Sequence, residues 1–167
     1  MSTIVDLTTY MSGLASKHRL LHHQPKEKHF FRGEVQEFFM ALRSEVNFPA
    51  MILEGCDVEF DGGVDNGHKK RLGAFIIVDK YDQQDDYDTI TERMGVCEEI
   101  GCDIVGRMLW DCDNGGDGCP IASMDLEGID GNYLQNEAQR YVGFRVSFEF
   151  GEQACLKNPN NWINEED

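Results

Sequence analysis

The chain has 167 residues, enough for one core of ordinary size and too few for two independent domains, so a single domain spanning 1–167 is expected. Lys and Arg total 15 against 31 Asp and Glu, a net charge of −16, which repels phosphate backbones and anionic membranes and argues against direct nucleic-acid binding. No stretch approaches the ~20 apolar residues that span a bilayer, and no apolar N-terminal run with a cleavage site precedes the six cysteines, so reduced thiols in a cytosolic product are expected.

The basic residues are unevenly placed. Lys17, Arg19, Lys26, Lys28, Arg32 and Arg43 precede Pro49 together with His18, His22, His23 and His29, so the acidic excess belongs to the remainder. Such asymmetry suits end-to-end docking with copies or partners.

In chain order, "STIVDLTTYMSGLASKHRLL" opens on a Ser/Thr cap and spaces Ile4, Leu7, Met11 and Leu14 as one helical face. "HHQPKEK" breaks the pattern at Pro25. "FFRGEVQEFFMALRSEV" resumes it through Phe31, Val35, Phe38, Phe39, Leu42 and Val46, predicting a second helix that ends near Asn47, before Pro49. Residues 1–47 are thus read as a helical N-terminal part.

The period then falls to two. "AMILEGCDVEF" reads as a strand with Met51, Leu53, Cys56, Val58 and Phe60 inward and a bulge at Gly55. "DGGVDNGHKK" is a turn, and "RLGAFIIVDKY" is a continuously apolar strand buried on both faces, the pair forming a hairpin. "YDQQDDYDTITERMGVCEEIGCDIVGRMLW" starts acidic, with Thr89 at a helix start. It lines up Ile90, Met94, Cys97, Ile100 or Gly101, Ile104 and Met108 on one face. Gly95, Gly101 and Gly106 cost this helix about 1 kcal/mol each in propensity and predict close approach to a neighbour.

"IASMDLEGI" is a short irregular strand candidate. "QRYVGFRVSFEF" alternates Val142, Phe144, Val146, Phe148 and Phe150 with Gly143, Arg145, Ser147 and Glu149, the clearest strand pattern in the chain. Residues 48–151 therefore hold the sheet and its packing helix. The polar tail, 152–167, is a C-terminal arm whose anchor is Trp162. The order α, α, β, β, α, β, β describes an α+β domain: an antiparallel sheet with a long helix packed across it and N-terminal helices.

Chemistry-bearing patterns are sparse. "CDNGGDGC" sets Asp113 and Asp117 between Cys112 and Cys119, but an EF-hand register started at Asp111 or Asp113 puts Ala122 or Met124 where the bidentate glutamate belongs. Six residues separate the two thiols, unlike a redox or zinc pair. A surface turn closing the helix is the better reading. Cys97 and Cys102 diverge by about 140° on a helix and read as small buried hydrophobes.

His18 and His22 share a helical face, yet Arg19, Leu20 and Leu21 between them supply no zincin glutamate, so a solvated helix end is favoured over zinc. The aspartates of "YDQQDDYD" read as a solvated run. Neither a G-x-S-x-G elbow nor a phosphate-cradling glycine loop occurs. The expectation is no catalytic, metal or cofactor site. A small metal-dependent enzyme using the His or Asp clusters, and an acidic intracellular adaptor, stand as the competing classes.

"NFPAMILE" leading into a strand, the helix "TITERMGVCEEIGCDIVGRMLW" and the closing "YVGFRVSFEFGEQACLKNPNNW" together resemble, over residues 47 to 162, the tail-terminator and neck-ring (head–tail connector) proteins of tailed bacteriophages. The resemblance implies a virion structural protein made in the host cytoplasm: a homomeric ring that binds itself and other tail or neck proteins and meets DNA only as passing cargo. Its natural reaching points are the loops carrying Asp65, His68, Lys69, Asp113 and Asp117, and the Trp162 arm.

Overall fold

The computed structural model describes residues 3–33, 46–63, 66–82, 86–115, 120–121, 123–124 and 126–153. Among them lie two α-helices and one six-stranded, mostly antiparallel sheet, a mixed α+β arrangement. No described helix is long and apolar enough to cross a membrane.

Helix α1, Ile4–Lys17, is set by its first turn. The Asp6 amide donates to the Thr3 hydroxyl while the Thr3 amide donates to the Asp6 carboxylate, a reciprocal capping box that satisfies two otherwise orphaned donors. The Thr3 hydrogen bonds also hold the Asp6 carboxyl below its ordinary range. Three- and four-residue spacing then buries Leu7, Met11, Leu14 and Ala15 on one side, and Lys17 complements the dipole in the last turn.

Residues Phe30–Arg32 form strand β1, parallel to β2 (Ala50–Leu53), and this corrects the expected second helix. Phe31 fits a helical phase, but the backbone there is claimed by the ladder: the Met51 amide donates to the His29 carbonyl and the Gly33 amide to that of Leu53. The rest of the expected helix, 34–45, lies outside the described residues.

Strands β2 and β3 (Asp57–Asp61) run along one flank of β4 (His68–Lys80). Leu53 pairs with Phe75 and Asp57 with Leu72, so Glu54, Gly55 and Cys56 face only Gly73 and Ala74, the extra residue of a bulge centred on Gly55. Hairpin and bulge were both legible. The burial was not: all four β2 residues are buried, whereas all five of β3 are exposed, Val58 and Phe60 included.

Helix α2, Tyr87–Asn114, starts two residues before Thr89, because the Asp86 side chain accepts from both the Thr89 amide and hydroxyl. It buries Ile90, Cys97, Ile100, Gly101, Ile104 and Met108 as its periodicity requires. It also runs through Cys112 and Asp113, so the opening of "CDNGGDGC" is helix rather than loop. Among the described residues of the expected strand in "IASMDLEGI", Ile121 and Ser123 lie in turns, Leu126–Gly128 form a 3-10 turn and only Ile129 is in a strand; β5 is Ile129–Asn136, and β6, Tyr141–Gln153, follows the alternating run.

The sheet order is β1-β2-β4-β6-β5, with β3 also on β4. Two faces follow from the two-residue period. On the first, Met51, Leu53, Phe75, Ile77 and the Phe144–Phe150 row share one core with the buried residues of α1 and α2. On the second, Ala50, Ile52, Ile76 and Val78 pack with Phe31, Val46, Phe48 and Leu134. Apolar cover on both sides explains the unbroken hydrophobic run of β4.

Candidate assembly surface at the end of the sheet

Beyond the core, β4 begins with four basic residues in succession: His68, Lys69, Lys70 and Arg71. Strand alternation sends Lys69 and Arg71 to the first face and His68 and Lys70 to the second. Carboxylates stand against them because of register. Lys69 lies opposite Glu152, and its ammonium donates to Glu152 Oε1 at 3.1 Å with the lysine side chain only 8% exposed. Lys70 lies opposite Glu59, and its ammonium reaches Glu149 Oε2 at 2.7 Å; that hydrogen bond is the main reason its pKa is raised. His68 lies opposite Asp61.

Asp61, His68, Lys69, Lys70 and Glu149 line a half-open cleft of ≈ 290 Å³ with Ser123, Phe150 and Gly151. His68 and Ser123 share the cleft without a hydrogen bond between them. What the arrangement offers is a patterned ionic surface. Next to it, β3 sets Asp57, Glu59 and Asp61 on the second face and exposes Val58 and Phe60 on the first, Phe60 at 59%.

Of the sequence-selected contact residues, His68 and Lys69 come together in this cleft. Asp113 sits apart from them, exposed on the last turn of α2. Asp65, Asp117 and Trp162 lie outside the described residues. Sequence reading missed Lys70, Glu149, Glu152 and the acidic row of β3; the D-x-E-x-D spacing in "DVEFD" was the available signal, read instead as the polar side of a buried strand.

Three histidines of the alternative cluster have other neighbours. His18 Nε2 meets Asp103 at 3.4 Å, His23 Nδ1 accepts from the His29 amide, and His29 Nδ1 meets the Pro49 carbonyl at 2.7 Å. Among the described residues no group of three His, Cys, Asp or Glu side chains is placed to hold an ion. Asp111, the candidate first calcium ligand, is engaged elsewhere: Tyr10 and Arg107 donate to its two oxygens at 2.9 and 2.8 Å. Partial burial would raise its carboxyl, and those hydrogen bonds outweigh it, leaving the pKa below the usual range.

No protein-family model matches this chain, and no curated protein is significantly similar to it.

Proposed function

We propose that the chain is a virion structural protein, the subunit of a homomeric ring at the tail or neck of a tailed bacteriophage, acting as tail terminator or head–tail connector. The observation that supports it best is β3: a fully exposed edge strand with Val58 and Phe60 open to solvent, beside a cleft of paired charges, on a domain whose other apolar strands are covered. Exposed apolar residues in such a setting mark a contact surface. The order of elements supports the same reading, with α2 taken as the long helix laid across the sheet and the N-terminal segment as its helical companion. A ring of such acidic subunits lets DNA pass through without adhering. Its partners are further copies of itself and neighbouring tail or neck proteins.

Light scattering on a sizing column, with metal analysis of the same peak, tests the reading. A metal-free species several times 19.0 kDa is expected. A 19.0 kDa monomer at every concentration and salt level would favour an acidic adaptor, and a metal-loaded peak would favour an enzyme.

A further inference from the structure

Among the described residues the sheet has open edges on opposite sides. Among the described residues, β3 pairs only with β4 and β5 only with β6. Both edges are exposed, β3 throughout and β5 over Asp130–Tyr133. Successive antiparallel pairings, β3 to β4, β4 to β6 and β6 to β5, make β5 antiparallel to β3. A neighbouring copy placed alongside without being flipped therefore offers its β5 to β3 in antiparallel sense, with its faces aligned.

Side chains on the two edges match in that orientation. Phe60 stands on the first face, opposite Lys69, and Tyr133 on the same face, opposite Phe144; they are 59% and 54% exposed. The register that sets Phe60 beside Tyr133 also sets Val58 beside Gln135. On the other face it brings Asp61 to Asn132, Glu59 to Leu134 and Asp57 to Asn136, so no carboxylate meets another. Lys70 and His68 already flank Glu59 and Asp61, and the incoming Asn132, Leu134 and Asn136 add no charge to that row. Pairing β3 with another β3 is disfavoured: every antiparallel register with faces aligned sets an acidic residue of the Asp57, Glu59, Asp61 row against another, like charges directly opposite.

We infer that copies of this chain associate head to tail, the β3 edge of one copy adding to the β5 edge of the next with Phe60 packed beside Tyr133. The inference rests on the ring reading above and names the contact by which that ring closes, heterologous as closure requires. The aromatic pair adds packing to the backbone ladder.

Oxidative cross-linking of a double variant, Phe60→Cys with Tyr133→Cys, tests it, with each single variant and the unmodified chain alongside to account for native thiols. The double variant is expected to form a ladder of linked copies at a yield at least tenfold above either single variant. Dimers from Phe60→Cys alone or Tyr133→Cys alone would overturn the inference in favour of self-paired edges. Asn132→Asp is a second, fold-neutral variant at an exposed position; it sets a carboxylate against Asp61 and is expected to weaken association about fivefold, a loss of the size seen for like charges directly opposite. A multimeric chain with no ladder and no response to Asn132→Asp would overturn the strand contact while leaving the ring. A chain that stays at 19.0 kDa and forms no ladder would overturn both.

Discussion

Gly101 of α2 sits directly against the ring of Phe144 on β6: a methyl group added at Gly101 would come within 2.8 Å of Phe144 Cδ1. Gly131 of β5 closes on the same ring from the adjacent strand, so glycines form two of the walls around Phe144. Gly95 and Gly106, on the same helix, have nothing within 4 Å of an added methyl.

Opposite outcomes follow for one substitution. Gly101→Ala overpacks the slot and is expected to cost about 1–3 kcal/mol, less the ~1 kcal/mol that alanine returns in helix propensity. Gly95→Ala and Gly106→Ala keep only the propensity gain and should stabilise by about 0.5–1 kcal/mol. Urea denaturation of the three variants checks the ranking; a Gly101→Ala protein as stable as the other two would show that Phe144 yields without cost.

Asp79 on β4 is a nearly buried carboxylate whose Oδ2 accepts from Arg93 Nη1 at 2.9 Å, while Oδ1 accepts from the Lys80 amide. The guanidinium end is half exposed, so the pair is screened on one side only. Arg93→Ala removes the exposed partner and leaves the charge inside, with an expected loss of about 1–3 kcal/mol. Asp79→Asn combined with Arg93→Ala should lose less than the sum of the two single variants, since no buried charge is left behind. Additive losses in a double-mutant cycle would show the two groups to be uncoupled.

Cys97 is buried in the core and its thiol is pushed up to about 12, mainly by burial, whereas Cys102 is exposed on the same helix. A thiol reagent at pH 8 should modify Cys102 in the folded protein and reach Cys97 only on unfolding. The pH dependence has a definite sign. With the folded pKa raised above that of the unfolded chain, the folded state holds the extra proton, so stability contributed by Cys97 is intact below about pH 9 and declines as pH rises toward about 12. Cys97→Ala should flatten that part of the stability profile; an unchanged slope would assign it to other groups.

Association should strengthen with salt. Each copy carries −16, and the edge contact inferred above uses aromatic packing and amides rather than ion pairs, so screening relieves repulsion without weakening the contact. Mass distributions measured at about 0.05 M and about 0.5 M NaCl should shift toward larger species at the higher value, where the Debye length is only a few ångströms. A shift toward monomer would point to a salt-bridged interface.

What the sequence determined by itself is what depends on local periodicity. The capped stripe Leu7, Met11, Leu14 specifies α1, the run from Ile90 to Met108 specifies the buried face of α2, and the alternation Val142 to Phe150 specifies β6, because 3.6 and 2 are set by backbone geometry alone. The two-sided burial of β4 and the Gly55 bulge were legible for the same reason. Tertiary structure decided what depends on who stands opposite whom. Phe30–Arg32 became strand because Met51–Leu53 offered a parallel partner, a non-local choice that overrode a helical pattern. Val58 and Phe60 stayed in water because β3 lies at an open edge, while Met51 and Leu53, in the same alternating pattern, met the core. Of the selected contact residues, His68 and Lys69 were gathered into one cleft; the β3–β4 register sets His68 opposite Asp61, and the β4–β6 register sets Lys69 against Glu152 and brings Glu149 within reach of Lys70. Charge pairs joined by register lie some eighty residues apart in the chain, and no local pattern encodes that distance.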